Sequence, residues 1–214
     1  MAEIKNIIFD FGGVLLNLDY QRTFDELGQL MGHNLSLTDM PAEMQEVYLR
    51  YERGELQSEN FMWHIQKLAK RQITQPHKII KAWNAMLLGW NADRLPWLLS
   101  LRERYQVYLL SNTNDLHIKW VHKDLKQQHN ITDFECTYFD NVYYSHEVGM
   151  QKPTAAIYEL VLSDNDLSAA ETIFVDDNAA NVAAAAALGI TAIQHDPSTE
   201  IMEQLPGYLA EASF

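Results

Sequence analysis

The stretch Ile4-Lys5-Asn6-Ile7-Ile8-Phe9-Asp10-Phe11-Gly12-Gly13-Val14 decides how this chain folds. Residues 4–9 are an apolar run with β-branched side chains, stopped by a Gly-Gly pair, and they read as a buried parallel strand. Asp10 then sits on the tip of that strand. A carboxylate in such a place is costly unless it is used, which makes Asp10 a candidate nucleophile. Gly12, two places on, has no side chain with which to assist it.

Three more runs end in the same manner. Residues 107–110 lead into Ser111-Asn112, residues 172–175 into Asp176-Asp177, and residues 190–193 toward His195-Asp196-Pro197. Residues 141–144 suit a short additional strand. Helical patterns separate these runs. Asn114 can cap a helix toward Lys126, Pro153 can open one through Leu162, and Asn178 can cap one through Leu188, closed by Gly189. Strand then helix, repeated, predicts an α/β fold with a doubly wound, Rossmann-like parallel sheet. Residues 16–90 differ: they read as helices broken near Pro41, Gly54 and Pro76. The expected division is a core of 1–15 and 91–214 with a helical cap of 16–90, inserted above the carboxyl edge of the sheet where ligands bind in open α/β folds. Tyr48, Tyr51, Phe61, Trp63 and Trp83 are expected in the core of that cap.

The bulk properties narrow the function. The chain has 214 residues, 47% hydrophobic and 21% charged, an ordinary globular balance. Its formal net charge of −13 repels a phosphate backbone, so neither a nucleic-acid nor an anionic-membrane surface is expected. The single cysteine, Cys136, excludes an internal disulfide and a cysteine-based zinc cluster, and is expected to be a packed or surface thiol. Glu3 and Lys5 precede only a short apolar strand, and no apolar stretch is long enough to span a bilayer, so a cytoplasmic protein is expected, as a monomer or homodimer.

In a parallel sheet the ends of these strands share one edge, so Asp10, Ser111 and Asp176-Asp177 would converge on one crevice. Lys152, before Pro153, lies on a loop on the same side. Each piece alone has a plainer explanation as a cap, a turn or a solvated lysine; their joint order does not. Three neighbouring carboxylates repel by about 4 kcal/mol per pair at roughly 4 Å and an effective dielectric of about 20. Proton sharing relieves this, and so does a hard cation such as Mg²⁺, with Mn²⁺ as the alternative. A metal, a lysine and a hydroxyl around one aspartate form an anion site, for which phosphoryl transfer is the natural chemistry.

With these residues the chain resembles the haloacid dehalogenase (HAD) superfamily, in its branch with a helical cap. The resemblance rests on Phe9-Asp10-Phe11-Gly12-Gly13-Val14, Leu110-Ser111-Asn112-Thr113, Gly149-Met150-Gln151-Lys152-Pro153 and Phe174-Val175-Asp176-Asp177-Asn178, in that order. The segment Tyr51-Glu52-Arg53-Gly54-Glu55-Leu56 resembles the family's cap loop, which faces the active site. The resemblance implies that Asp10 attacks phosphorus to form an aspartyl-phosphate, and that Ser111 and Lys152 hold the phosphoryl oxygens. It implies that Asp10, Asp177 and the Gly12 carbonyl bind Mg²⁺, with Asp176 binding it or orienting its waters. Asn112 and Arg53 would contact the substrate.

Gly12 departs from the family's phosphatases, which carry there an Asp that protonates the leaving group and activates water. Such a group is usually worth about 10²–10⁴-fold, roughly 3–5 kcal/mol. Three readings follow: a substrate with a good leaving group, a substitute such as Asp19 (or Asn17 beside it), or a poor catalyst. The glycine, with Leu110-Ser111-Asn112-Thr113-Asn114 and Asp176-Asp177-Asn178, also resembles the family's bacterial sugar 1-phosphate phosphatases. The leading expectation is therefore a Mg²⁺-dependent phosphatase of small phosphorylated metabolites, sugar phosphates first. A 2-haloacid dehalogenase, a phosphomutase and a non-catalytic binding protein are the alternatives.

Overall fold

In the computed structural model, which describes residues 3–36, 38–73 and 75–212, the first strand forms as β1 (Asn6–Phe9). The chain continues through β2 (Asn17–Leu18), α1 (Tyr20–Met31), α2 (Ala42–Glu52), α3 (Ser58–Leu68), α4 (Pro76–Trp83) and β3 (Leu87–Gly89). Then come α5 (Arg94–Arg102), β4 (Gln106–Ser111), α6 (Asp115–His129), α7 (Phe134–Tyr138), β5 (Asn141–Tyr144) and α8 (Ser145–Val148). The last elements are α9 (Ala155–Asp164), β6 (Thr172–Asp176), α10 (Ala179–Ala187), β7 (Thr191–Gln194) and α11 (Ile201–Ala212). Residues 1–2 and 213–214, the ends of the expected core, lie outside the described residues.

Five strands form one parallel sheet in the order β5-β4-β1-β6-β7. β1 lies at its centre, and Ile7, Ile8 and Phe9 have no solvent exposure. Their side chains alternate across the sheet, as strand geometry requires. Ile7 and Phe9 join Val107, Leu109, Ile173 and Val175 on one face, while Ile8 joins Tyr108, Leu110 and Phe174 on the other. Burying an apolar side chain of this size stabilises by about 1.5–3 kcal/mol, so this double-sided packing anchors the strand whose tip carries Asp10. The ladder extends one residue further, with the Asp10 N–H donating to the Val175 carbonyl at 2.8 Å.

The expected caps form. Asn114 accepts from the His117 N–H at the start of α6, and Asn178 accepts from the Ala180 N–H at the start of α10. One helix start moves: α9 begins at Ala155 with Thr154 at its N-cap, because Pro153 belongs to the preceding turn, closed by Thr154 N–H to the Gln151 carbonyl.

After Leu16 the chain leaves the sheet, and β2 pairs antiparallel with the returning β3. A buried arginine braces this crossing. The Arg94 guanidinium donates to the Leu15 carbonyl, to Asn17 Oδ1 and to Glu200. Between β2 and β3, helices α1–α4 share an apolar core of their own, including Leu27, Tyr51, Phe61, Ile65, Ile79 and Trp83. Pro41, Gly54 and Pro76 stand at the helix breaks, as expected. Trp63 departs from its expected place in that core: it is 49% exposed, with the Lys67 ammonium over its ring. Among the described residues no helix is long and apolar enough to cross a membrane, and Cys136 is an exposed free thiol.

The inserted helices dock on the sheet domain through buried polar contacts. Tyr51 Oη accepts from the Leu116 N–H, and Ser58 Oγ donates to Asp115. His117 of α6 stacks on Trp83, with its Nδ1 2.8 Å from Asn84 Oδ1. Burial holds the His117 imidazole neutral, down to a pKa of about 3. A histidine neutral when folded and ordinary when unfolded adds stability above about pH 6.5 that is lost as pH falls toward 3, by about 1.4 kcal/mol per unit. Between pH 7 and 4.5 the His117→Gln variant is therefore expected to lose about 2–3 kcal/mol less unfolding free energy in urea than the parent. Equal losses would show that His117 does not carry this pH dependence.

Candidate active site

Three strand ends and one loop build the site. Asp10 follows β1, Ser111 ends β4, Asp176 ends β6 and Asp177 follows it, while Lys152 enters from the loop before α9. Carboxylate oxygens of Asp10, Asp176 and Asp177 lie within 4.8 Å of one another. The Lys152 ammonium, buried at 2% exposure, ties the group together. It lies 2.6 Å from Asp10 Oδ1, donates to Asp176 Oδ2 at 2.7 Å, and donates to the Leu110 carbonyl at 2.8 Å.

Each member is held from outside. Asp176, fully buried, accepts from the Asn178 N–H, and Asn181 Nδ2 donates to both its Oδ1 and Oδ2 at 3.0 Å. Asn112 holds the lysine's backbone: its Oδ1 accepts from the Lys152 N–H and its Nδ2 donates to the Lys152 carbonyl, both at 2.9 Å. Asn112 lines the cavity, but this reciprocal pair makes positioning of Lys152 its visible task. Ser111 is buried, and its hydroxyl has no protein partner among the described residues, which leaves it open to a ligand.

Burial raises the Asp10 carboxyl to about 7; Lys152 pulls it down and Asp176 pushes it up again. Burial acts against the Lys152 charge, but the two carboxylates outweigh it and its pKa is raised. Asp177 is raised by burial and by Asp176. Three carboxylates against one ammonium leave the site short of positive charge.

Two glycines shape the turn beyond Asp10. Gly13 has φ +77°, and a Cβ there would come 2.5 Å from Asp177 Oδ2, so the Asp177 carboxylate packs directly on its backbone. At Gly12 a Cβ would collide with the end of the Leu18 side chain, so Leu18 of β2 packs against this position and would have to turn aside for an acid there.

A cavity of about 220 Å³ opens above these residues. Asp10, Gly12, Ser111, Lys152 and Asp177 form its floor, and Leu18, Tyr20, Phe24, Met40, Tyr48, Met86 and Leu87 belong to its walls. Arg53 is not in that lining. It caps α2 and pairs with Glu55 at 2.6 Å instead. Its neighbour Glu52 lines the cavity, buried, with Oε1 accepting from Tyr48 Oη at 2.7 Å. Successive helical side chains point about 100° apart, so the segment was legible but the residue facing inward was not. Asp19 is likewise placed away from the cavity: it caps α1, accepting from the Gln21 N–H, and pairs with Arg22. Asn17 is committed to Arg94. Glu52, Tyr48 and Asn181 are the site residues that sequence reasoning missed.

The family model of haloacid dehalogenase-like hydrolases matches residues 4–189. A D-ribitol-5-phosphate phosphatase of Bacteroides thetaiotaomicron is 28% identical over 94% of this chain and 97% of its own. A sesquiterpene phosphatase of Aspergillus oryzae is 31% identical over 88% of each. Among solved structures, a HAD family enzyme of Bacteroides thetaiotaomicron superposes with a TM-score of 0.87 at 32% identity, over 95% of this chain and 99% of that one. The same enzyme is known as a complex with magnesium and inorganic phosphate. Motif order, parallel topology and these likenesses agree: the chain belongs to the haloacid dehalogenase-like hydrolases.

Proposed function

We propose that this hydrolase is a Mg²⁺-dependent phosphatase of small phosphorylated metabolites, working through an aspartyl-phosphate on Asp10. The observation that carries the reading is the convergence of Asp10, Asp176 and Asp177 around Lys152, beside an unpartnered Ser111 hydroxyl. The donor set fits a hard divalent cation. It is all oxygen, it carries two negative charges beyond what Lys152 neutralises, and among the described residues no donor but its own N–H reaches the Asp177 carboxylate. Asp10, Asp177 and the Gly12 carbonyl would hold the ion, with Asp176 binding or orienting its waters. Bound there, it would withdraw charge from the phosphoryl oxygens and keep Asp10 ionised.

The chain's own residues then divide the work. Asp10 attacks phosphorus, and the bond to the ester oxygen breaks. Ser111 Oγ and Lys152 Nζ hold the non-bridging oxygens, Lys152 exchanging its contact with Asp10 for one with the phosphoryl group. Asp176 and Asn112 keep the lysine aimed. Dehalogenation needs no metal and would leave the repulsion between half-buried Asp177 and Asp176 offset by Lys152 alone.

Sugar phosphates, a sugar 1-phosphate included, are the substrate class to which Gly12 points. The walls favour a second class, phosphate esters of apolar alcohols. Leu18, Phe24, Met40, Met86 and Leu87 face the cavity, and the Thr23 hydroxyl there is already engaged with the Trp83 carbonyl and the Met86 N–H. The curated relatives include both kinds, one named for a pentitol phosphate and one for a sesquiterpene.

Phosphate release from a panel of alditol, sugar and prenyl monophosphates is expected to require Mg²⁺ and to fall to background in chelator and in Asp10→Asn. Turnover that persists in chelator would sink the proposal. The Gly13→Ala variant is expected to lose about 1–2 kcal/mol of stability, from its left-handed backbone. It should also bind Mg²⁺ more weakly by calorimetry, because the new methyl displaces Asp177. Unchanged affinity would remove Asp177 from the metal site.

A further inference from the structure

Gly12 leaves the reaction without a proton donor on the strand-end turn, and Leu18 packs against the place such a donor would take. A third carboxyl group, beside those of Asp10 and Asp177, nevertheless lines the cavity, from the inserted helices. Glu52 ends α2, is 6% exposed, and shares the lining with Asp10, Ser111 and Lys152. Tyr48 Oη fixes one of its oxygens at 2.7 Å, and Tyr48 is the one hydrogen-bond partner of its carboxyl group among the described residues. Lys152 of the floor acts on it electrostatically, and Tyr20 and Tyr48 are the other titratable groups around it.

Its position is set by docking rather than by a loose side chain. Ser145 Oγ donates to the Glu52 carbonyl at 2.6 Å and also contacts the Thr113 backbone, two residues beyond Ser111. Gly54 then presses against the His146 carbonyl so closely that a Cβ could not fit. The last turn of α2 is thus pinned to the same segment that carries Ser111.

We propose that Glu52 is the general acid and base of the reaction, supplied from the inserted helices in place of a side chain at Gly12; this rests on the phosphatase reading above. In the first step an Asp10 oxygen bonds to phosphorus, the phosphorus–ester oxygen bond breaks, and the Glu52 carboxyl gives its proton to the departing oxygen, releasing the alcohol. In the second, the Glu52 carboxylate takes a proton from water as that water bonds to phosphorus. The phosphorus–Asp10 bond breaks, returning the Asp10 carboxylate and inorganic phosphate. Burial suits the residue to both roles, since it raises the Glu52 carboxyl to about 7, where acid and base forms coexist at neutral pH. An acid at Glu52 also frees the enzyme from needing a good leaving group, which brings phosphates of ordinary alcohols into range.

The test compares benzyl phosphate with p-nitrophenyl phosphate, alike in shape but unlike in how much the leaving oxygen needs a proton. For Glu52→Gln, which retains the hydrogen bond from Tyr48, kcat/KM on benzyl phosphate is expected to fall about 10²–10⁴-fold. On p-nitrophenyl phosphate kcat/KM should stay within about threefold, with a burst of nitrophenolate before slow turnover, since the second step has lost its base. Glu52→Asp, which withdraws the carboxyl, should show the same selective loss in milder form and serves if the glutamine variant melts early. Equal loss on both esters in a folded variant, or no loss on benzyl phosphate, would overturn the role of Glu52 while leaving the phosphatase reading intact. A wild-type enzyme that hydrolyses neither ester nor any of the monophosphate panel with Mg²⁺ would remove both.

Discussion

The Lys152 ammonium is the interaction on which the rest of the site depends. It is buried, and its contacts reach three strands of the sheet: Asp10 beyond β1, Leu110 in β4 and Asp176 in β6. Burying such a group costs several kcal/mol, and so does each carboxylate beside it. An arrangement this expensive persists because the charges satisfy one another, and because Asn112, Asn178 and Asn181 complete their hydrogen bonds. The site is accordingly preorganised. Asp10, Lys152 and Asp177 are oriented before any ligand arrives, and electrostatic stabilisation in catalysis draws most of its strength from such preorganisation.

The inserted helices complete this arrangement from above. Their apolar core is distinct from those flanking the sheet but takes in Leu116 of α6, so packing and docking share residues. Tyr51, Ser58, Trp83 and Asn84 meet α6 and its N-terminal turn through hydrogen bonds and a ring stack. Ser145 and the glycine turn at Gly54 hold the end of α2 beside Thr113. The result is one cavity with a charged floor and a largely apolar wall. The floor accounts for the chemistry that this chain shares with its family, whereas the wall is where relatives with different substrates can diverge.

Much of this was legible in the chain itself. Apolar runs stopped by Asp10, Ser111 and Asp176 define strands whose ends must share an edge, because parallel strands linked by helices place all their carboxyl ends on one side. The breaks at Pro41, Gly54 and Pro76 followed from local backbone preference, as did the caps at Asn114 and Asn178. Local rules failed where a residue had two uses. Asp19 looked available as an acid and is a helix cap; Pro153 looked like a helix start and belongs to a turn.

What the sequence by itself determined is the floor: strand ends are ordered by topology, and a nucleophile, a hydroxyl, a lysine and an acidic pair at those ends can converge in one way. What only the tertiary structure decided is which side chains close the cavity from the other side. Arg53 and Glu52 are adjacent in the chain, yet one pairs with Glu55 outside the cavity lining and the other lines the cavity with Asp10. That choice depends on the rotation at which α2 docks, set by Ser145, Gly54 and Tyr51. The contacts that set it join residues about 65 to 93 positions apart, which no local pattern records.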